Sequence, residues 1–368
     1  MRKAKRKTTK GDIIALFVTG LIMLGLAEIV CHGIEKKISM PAAPNGWAII
    51  PEQSWIEYHP TLGWFHQKNK QSSLSKNGQQ TYISTNHLGM RSARGYSLEK
   101  PDGIFRVYAL GDSFTFGFGV EDNQTFPAVM EKTDSRLEVF NLGVPGYGVD
   151  QISLLLNEFG FKYNPDFIFI VLYPEDFWRA LRAFNDGGYG KPYYTLDRDG
   201  LKLRHVPVPK EKKFTVPQFP EIIRRNPFQK ILDSSALYRT SRKAWMKILK
   251  NLGSEDPDTS TEWMLGREIL KKTMADIKKQ GIPSAIVLVP PQRWLTGTDE
   301  PVRQSLIRFG QREGVDVLDL TPVFEKACAR DGVEHYYIPY DLHWTPEGNT
   351  LTAKTLMDYL DKKGFLKK

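Results

Sequence analysis

Short apolar runs alternate with longer amphipathic segments from residue 104 to the end of the chain. The apolar runs have the length of strands and cover residues 104–110, 138–142, 166–173, 284–289 and 315–318. The amphipathic segments predict helices over residues 122–132, 150–159, 262–279, 301–313, 322–330 and 346–360. Thr345 and Pro346 support the last helix, because threonine is a good N-cap and proline suits the first helical turn. This alternation predicts an α/β fold whose mainly parallel sheet is covered by helices on both faces.

The alternation is interrupted once, over residues 177–262. Runs at 193–196 and 201–206 flank an Asp-Arg-Asp-Gly turn and predict a β-hairpin. A basic amphipathic helix is predicted over 228–252, and its apolar stripe serves either core packing or membrane contact. Because function concentrates in loops on a rigid scaffold, the insertion is predicted to form a lid over the functional site.

The N-terminal segment combines a basic tail with an apolar stretch. Six basic residues occupy positions 1–10, and residues 13–31 are apolar apart from Glu28, close to the length of a membrane-spanning helix. The basic block predicts an uncleaved single-pass anchor with a cytoplasmic N-terminus and the rest of the chain on the other side. The alternatives are a cleaved signal peptide, which would want an Ala-x-Ala site, and a buried core helix.

The predicted organisation therefore has three parts. Residues 1–34 form the tail and the transmembrane anchor, residues 35–100 a stalk and lead-in, and residues 101–368 the main domain with its insertion. Aromatic residues in the lead-in predict that part of it packs on the main domain; they are Trp47, Trp55, Tyr58, Trp64 and Phe65. An edge strand is predicted at 81–85.

Charge is distributed unevenly along the 368 residues. The total is +9, but residues 1–10 carry +6 and residues 177–250 carry +11, which leaves −8 for the rest of the chain. A general nucleic-acid-binding surface is therefore not expected. The seven histidines include no pair at helical ligand spacing, and the two cysteines are isolated, so neither a metal site nor a disulfide is predicted. No cofactor fingerprint is complete.

Candidate chemistry begins with Ser113, which follows the first predicted strand in the stretch Gly111-Asp112-Ser113. A serine on a strand-to-helix turn lies at the carboxyl edge of the sheet, where open α/β folds place their sites. Such a nucleophile needs a base, a group that orients the base, and donors for an oxyanion. Asp341 and His343 lie in the loop before the last helix, and a carboxylate beside a histidine can hold one ring nitrogen while the other serves the serine.

These segments together resemble the SGNH/GDSL hydrolase superfamily. Gly111-Asp112-Ser113 resembles its first block, Asn141-Leu142-Gly143 its second, and the Asp341/His343 loop its fifth. The resemblance implies a three-layer α/β/α sandwich with a flavodoxin-like sheet, with Ser113 as nucleophile, His343 as base and Asp341 as its partner. It also implies that the backbone amides of Ser113 and Gly143 contribute to an oxyanion hole.

Two positions depart from the family pattern. The carboxylate and the histidine are two residues apart rather than three, which is similar to some membrane-linked polysaccharide-modifying relatives. The more serious departure is Glu175, which stands where the family has an oxyanion-binding Asn. An ionised Glu only accepts hydrogen bonds. Either its side chain points elsewhere and another donor substitutes, or it is protonated, or the enzyme is slow or inert. Possible substitutes are Asn185, Gln292 and Arg293.

Three functions remain open from the sequence. The first is an inner-membrane-anchored, extracytoplasmic serine esterase that hydrolyses an O-acyl ester through an acyl-enzyme. The second is an O-acyltransferase or deacylase acting on an envelope polysaccharide or lipid-linked glycan, suggested by the anchor and the basic, aromatic insertion. The third is a catalytically inactive binding protein of the envelope, suggested by Glu175.

Overall fold

The structure is a computed structural model. It describes residues 19, 23–30, 55–76, 79–185, 188–210, 235, 237, 241, 260–296 and 301–366. The chain divides into two compact units, one formed by residues 1–43 and 225–255 and the other by residues 44–224 and 256–368. All of the predicted site residues belong to the second unit.

A five-stranded sheet forms the centre of the second unit. Its strands are β1 (Phe105–Gly111), β2 (Leu137–Gly143), β3 (Phe167–Leu172), β4 (Ser284–Leu288) and β5 (Asp316–Asp319). Their spatial order is β2-β1-β3-β4-β5, and every neighbouring pair is parallel. This is the flavodoxin-like order, in which the chain reverses direction across the sheet between β1 and β3. The predicted mainly parallel α/β sheet is confirmed.

Both faces of the sheet are buried, because successive residues of each strand point to opposite sides. In β3, Ile168 and Ile170 belong to one apolar cluster, while Phe167 and Phe169 belong to the other. Helices supply the rest of each cluster, so the second unit has three layers. This two-sided burial explains why β3 is apolar at every position.

Nine helices of the second unit connect or flank the strands in the described part of the chain. They are α1 (Ser113–Phe116), α2 (Phe126–Thr133), α3 (Val149–Phe159), α4 (Glu175–Arg179), α5 (Thr261–Lys279), α6 (Pro301–Glu313), α7 (Thr321–Asp331), α8 (Val333–Tyr336) and α9 (Pro346–Lys362). Helices α3, α5 and α6 cover one face of the sheet, and α2, α7 and α9 cover the other. Thr345 caps α9 as predicted, since its hydroxyl accepts a hydrogen bond from the Gly348 amide at 3.2 Å.

The lead-in forms two antiparallel hairpins that lie outside the main sheet. The first pairs Ile56–His59 with Gly63–His66, and the second pairs Gln71–Lys76 with Gln79–Ser84. Trp55 is buried and stacks on Phe116, with 5.7 Å between the ring centroids. The segment predicted as an edge strand is therefore one arm of a hairpin.

Arg91 joins the lead-in to the loop that follows Ser113. Its guanidinium is buried and donates to the carbonyl oxygens of Phe116, Gly117 and Val120, and it pairs with Asp122 at 2.9 Å. Such a fork of donors satisfies several carbonyls at once, which a lysine cannot do. The lead-in thus holds the chain immediately after the predicted nucleophile.

His66 makes the stability of the lead-in pH-dependent. Burial lowers the pKa of His66 to about 4, against 6.5 for an exposed histidine, with Arg91 adding to the shift and the carbonyl of Gly89 opposing it. Below pH 6.5 the unfolded chain therefore binds a proton that the folded chain does not, so stability falls as the pH falls. Between pH 7.5 and 5 we expect this group to reduce the free energy of unfolding by about 2 kcal/mol. Urea unfolding at both pH values should show a smaller loss in His66→Gln, and an equal loss would contradict the assignment.

The insertion contains the predicted hairpin, formed by Tyr193–Asp197 and Gly200–Arg204. Lys191, just before it, is buried and pairs with Asp150 at 2.5 Å, which fastens this part of the insertion to the start of α3. The amphipathic helix predicted over 228–252 lies outside the described residues except at positions 235, 237 and 241.

The other unit is described at few positions. Residues 23–30 are helical, and the Glu28 carboxylate accepts hydrogen bonds from the Ser235 hydroxyl at 2.7 Å and the Leu237 amide at 2.8 Å. Among the described residues, no helix combines the length and the apolar character needed to cross a membrane. Most of the predicted anchor at 13–31 lies outside those residues, so the anchor stays a prediction.

Candidate active site

The turn after β1 presents Ser113 at the carboxyl edge of the sheet. Asp112 caps α1, since its Oδ1 accepts a hydrogen bond from the Phe114 amide at 2.9 Å. Ser113 is the first residue of this helix, and its own amide has no acceptor within the helix because helices leave their first amides unpaired. Gly117 ends α1 in the left-handed conformation, with φ of 81°. The serine is largely buried, with 7% of its surface exposed.

Ser113, His343 and Asp341 are in contact. His343 Nε2 lies 2.8 Å from Ser113 Oγ, and His343 Nδ1 lies 2.5 Å from Asp341 Oδ1. Because a carboxylate only accepts hydrogen bonds, Nδ1 is the protonated nitrogen and Nε2 is free to accept the serine proton. The structure therefore brings together all three residues that the sequence proposed as nucleophile, base and orienting carboxylate.

The loop that carries His343 is held at several points. The Ile338 amide donates to the His343 carbonyl at 2.9 Å, and the His343 amide donates to Asp341 Oδ1 at 2.9 Å. Asp341 thus fixes both the backbone and the ring of the histidine. Phe114 and Phe118 also pack against the ring, with centroid separations of 5.1 and 5.0 Å. The orientation of the base is set before any ligand binds.

Gly143 serves a packing role. Its amide donates to Asn141 Oδ1 at 3.1 Å, so this amide is already engaged. A Cβ at Gly143 would lie 2.1 Å from the Phe116 amide nitrogen, so the lack of a side chain lets β2 approach α1 closely. The predicted contribution of the Gly143 amide to an oxyanion hole stays a prediction that needs this hydrogen bond to be given up.

Gly146 carries an amide that sequence reasoning did not consider as an oxyanion donor. It lies three residues further along the same loop, has a φ of 81°, and its amide has no acceptor in the described part of the chain. The run Gly143-Val-Pro-Gly146 contains two glycines. Their spacing alone did not show which of the two amides was the better candidate for an oxyanion donor.

Glu175 stands at the start of α4, directly after the end of β3. Its side chain is 44% exposed, and its Oε2 lies 3.9 Å from Arg179 Nη2. Of the alternatives raised for this position, a side chain that points elsewhere agrees with this exposure, and a substitute donor stays a prediction. Asn185, one of the proposed substitutes, uses its side-chain oxygen to accept a hydrogen bond from the Tyr189 amide.

Arg179 is the second residue that sequence reasoning missed. Its Nη1 lies 2.8 Å from Asp112 Oδ2, 2.7 Å from Asp176 Oδ1 and 3.1 Å from the carbonyl oxygen of Tyr147. Asp112 Oδ2 also lies 3.4 Å from Ser113 Oγ. Asp112 therefore connects the Arg179 cation to the nucleophile. The sequence signal is the spacing of Arg179 from Glu175 and Asp176, which puts all three on one helical turn.

The carboxylates around Arg179 are strongly perturbed. Burial raises the pKa of Asp176 well above its ordinary value, and the nearby Asp112 carboxylate raises it further, while Arg179 opposes the shift. Burial alone would lower the pKa of Arg179, but Asp176 and Asp112 together raise it above its ordinary value. The guanidinium is therefore a permanent positive charge beneath the serine turn. In the part of the chain that the structure describes, no three potential metal ligands cluster.

Comparison with known proteins adds a family match. Residues 255–368 match the family model described as an SGNH hydrolase-like domain, acetyltransferase AlgX. The search of curated proteins found no match.

Solved structures with low similarity to this chain include those of the following three proteins. A G-D-S-L family lipolytic protein from Desulfitobacterium hafniense DCB-2 is 14% identical, with 69% of this chain and 98% of that chain covered and a TM-score of 0.40. The acetyl xylan esterase AlAXEase is 13% identical, with 70% and 100% covered and a TM-score of 0.40. A lipase/acylhydrolase from Enterococcus faecalis is 12% identical, with 71% and 97% covered and a TM-score of 0.38.

The matched segment contains the loop with Asp341 and His343, whereas the serine turn lies 142 residues before that segment begins. The sheet brings these distant parts together, because Ser113 follows β1 and the histidine loop precedes α9 on the same edge. The C-terminal segment of this chain is therefore similar to SGNH hydrolase-like domains, and the serine turn outside that segment is in hydrogen-bond contact with it.

Proposed function

We propose that this protein is a serine-dependent enzyme that cleaves an O-acyl ester through an acyl-enzyme at Ser113. The observation that carries the proposal is the continuous hydrogen-bonded chain from Ser113 Oγ through His343 to Asp341. A serine hydroxyl is a weak nucleophile unless an adjacent base removes its proton, and His343 Nε2 is within reach of that proton.

In the proposed reaction, Ser113 Oγ attacks the ester carbonyl carbon while its proton passes to His343 Nε2. Asp341 stabilises the imidazolium that forms. The oxyanion accepts hydrogen bonds from the amides of Ser113 and Gly146. Collapse of the intermediate breaks the bond to the alcohol, which leaves with the proton from His343. A second nucleophile, water or another hydroxyl, then attacks the acyl-enzyme by the same route and restores the free serine.

Labelling with a fluorophosphonate tests this proposal, because the probe phosphonylates an activated serine with loss of fluoride. We expect labelling of the folded wild-type protein at Ser113 and none in Ser113→Ala, with Ser97→Ala as the matched control that labels normally. Peptide mapping by mass spectrometry would identify the site. Absence of both labelling and ester turnover in the wild type would instead support the inactive binding protein.

A second candidate function is transfer of the acyl group to or from a glycan hydroxyl. The description of the matched family model, which names an acetyltransferase, supports it. So does Trp178, an exposed side chain on α4 beside Glu175, because exposed aromatic rings can stack on sugar rings. Supplying an acyl donor with and without an acidic polysaccharide would decide between the two, since acylation of the polysaccharide indicates transfer and release of free acid alone indicates hydrolysis.

The cellular location is proposed from the sequence. The basic tail and the apolar stretch at 13–31 support an inner-membrane anchor with the catalytic domain in the periplasm or outside the cell. A fusion of alkaline phosphatase to the C-terminus should be active in cells, whereas a cytoplasmic catalytic domain would leave the fusion inactive. The acyl ester is then a component or precursor of the envelope.

A further inference from the structure

We propose that Arg179 is a positioning residue that holds the ends of three neighbouring strands in the geometry that catalysis at Ser113 requires. This inference rests on the proposed ester chemistry. It concerns the helix that also carries Glu175, the residue that stands where the family has an amide donor.

The contacts of Arg179 span the whole catalytic edge of the sheet. Asp112 follows β1, Tyr147 follows β2 and Asp176 follows β3, and all three place an oxygen within 3.1 Å of Arg179 Nη1. These strands are neighbours in the order β2-β1-β3, so the segments that follow them lie side by side at one edge of the sheet. The guanidinium is the point at which the three segments meet.

Each of these segments carries a group that the reaction uses or places. Asp112 caps α1 and so sets the direction of the Ser113 amide and hydroxyl. Tyr147 is adjacent to Gly146, whose amide is a candidate oxyanion donor. Asp176 accepts a hydrogen bond from the Tyr173 amide at 2.9 Å, which closes the turn that carries Glu175. A shift of Arg179 would therefore misplace the nucleophile and the oxyanion donors relative to each other.

Lys191, a residue of the insertion, holds the backbone of Arg179 in place. Lys191 Nζ donates to the carbonyl oxygens of Arg179 at 3.1 Å and Arg182 at 3.3 Å, at the carboxyl end of α4. The same ammonium pairs with Asp150 at the start of α3. The beginning of the insertion thus braces the helix that carries Arg179.

The reach and the charge of the Arg179 side chain are essential to this role. Arg179 is 23% exposed on its side chain, while Asp112 and Asp176 are buried, so removing the cation would leave two carboxyl groups close together without compensation. A lysine would keep the charge, but its side chain is one bond shorter, so its nitrogen would not reach the position of Nη1 between the three acceptors. Asp112 and Asp176 both pair with this cation already, which points to a structural charge.

The test compares steady-state ester turnover by Arg179→Lys and Arg179→Gln with the wild type. We expect kcat to fall about 10-fold in the lysine variant and about 100-fold or more in the glutamine variant, the size of losing one oxyanion donor. KM should change less than three-fold, since misplacement affects the transition state more than substrate binding. Addition of guanidinium chloride should restore part of the activity of Arg179→Ala.

Arg182→Gln is the matched control, because Arg182 lies one turn further on and its guanidinium packs over Trp178 at 5.8 Å. It should retain kcat within two-fold. Circular dichroism and thermal unfolding identify variants that fail to fold, and in that case the lysine variant, which keeps the charge and most of the side-chain bulk, decides.

Two results separate this inference from the proposed function. An active, labelled wild type whose kcat is unchanged in folded Arg179→Lys and Arg179→Gln would overturn the inference alone. A wild type without labelling or turnover would overturn the proposed function first. A third result would also count against positioning. In that case kcat and labelling both fall in the variants, guanidinium does not restore them, and KM rises by as large a factor as kcat falls.

Discussion

Replacing Ser113 by alanine is expected to lower kcat for ester turnover by about 10⁴-fold or more, without loss of the fold. The expectation follows from the Ser113 hydroxyl at hydrogen-bond distance from His343, because the proposed covalent route requires this oxygen as the nucleophile. His343→Ala should cause a loss of similar size, and Asp341→Asn a somewhat smaller one, because the histidine ring would lose its oriented tautomer. Steady-state kinetics on a chromogenic ester, with thermal unfolding as a fold check, measures these effects.

The three residues should also behave as one unit. A Ser113→Ala/His343→Ala double variant is expected to be about as impaired as either single variant, because each alone already removes the covalent route. His335→Ala provides a matched control, since His335 is exposed and lies near the same loop without contacting Ser113. Additive losses, or turnover that survives Ser113→Ala, would place the chemistry elsewhere.

Gly143→Ala is expected to destabilise the protein by about 3 kcal/mol or more, one of the larger effects for a single methyl group. The added Cβ would lie 2.1 Å from the Phe116 nitrogen and 2.5 Å from the Thr115 carbonyl carbon, and both are backbone atoms of α1. Backbone cannot move aside as a flexible side chain can, so β2 and α1 must separate. Urea unfolding measures the loss of stability.

The same change should reduce fluorophosphonate labelling, because α1 begins at Ser113 and would be displaced with it. Gly95→Ala is the control, since its Cβ would meet only the His87 ring at 3.4 Å, an ordinary contact, and its backbone needs no left-handed conformation. If Gly143→Ala keeps wild-type stability and labelling, the close approach of β2 to α1 is not what requires glycine at this position.

Much of this fold was predictable because its strands and helices have strong local signals. β3 is apolar at all six positions, and the last helix starts with a threonine–proline pair that determines its first turn. The candidate triad was predictable as well, since Ser113 and His343 both stand at boundaries between predicted elements. Those boundaries fall on one edge of any sheet with this connectivity.

Arg179 could not be recognised in the same way. Its functional contact is with Asp112, 67 residues earlier, and nothing in the local pattern around either residue indicates that they meet. The distinction between Gly143 and Gly146 was equally out of reach, because it depends on which amide is already bonded. Long-range polar contacts between loops follow from how the layers pack, and periodicity carries no information about them.

The hydrogen bonds of Arg91 to the loop after Ser113 imply that the catalytic unit includes part of the lead-in. A fragment cut at the predicted boundary of residue 101 would keep the serine, the histidine and every strand of the sheet. It would lose the guanidinium that satisfies the carbonyls of Phe116, Gly117 and Val120. The loop would then be free to move, and with it Phe118, which packs on the ring of the base. Limited proteolysis that removes the lead-in should therefore abolish ester turnover while leaving the sheet intact.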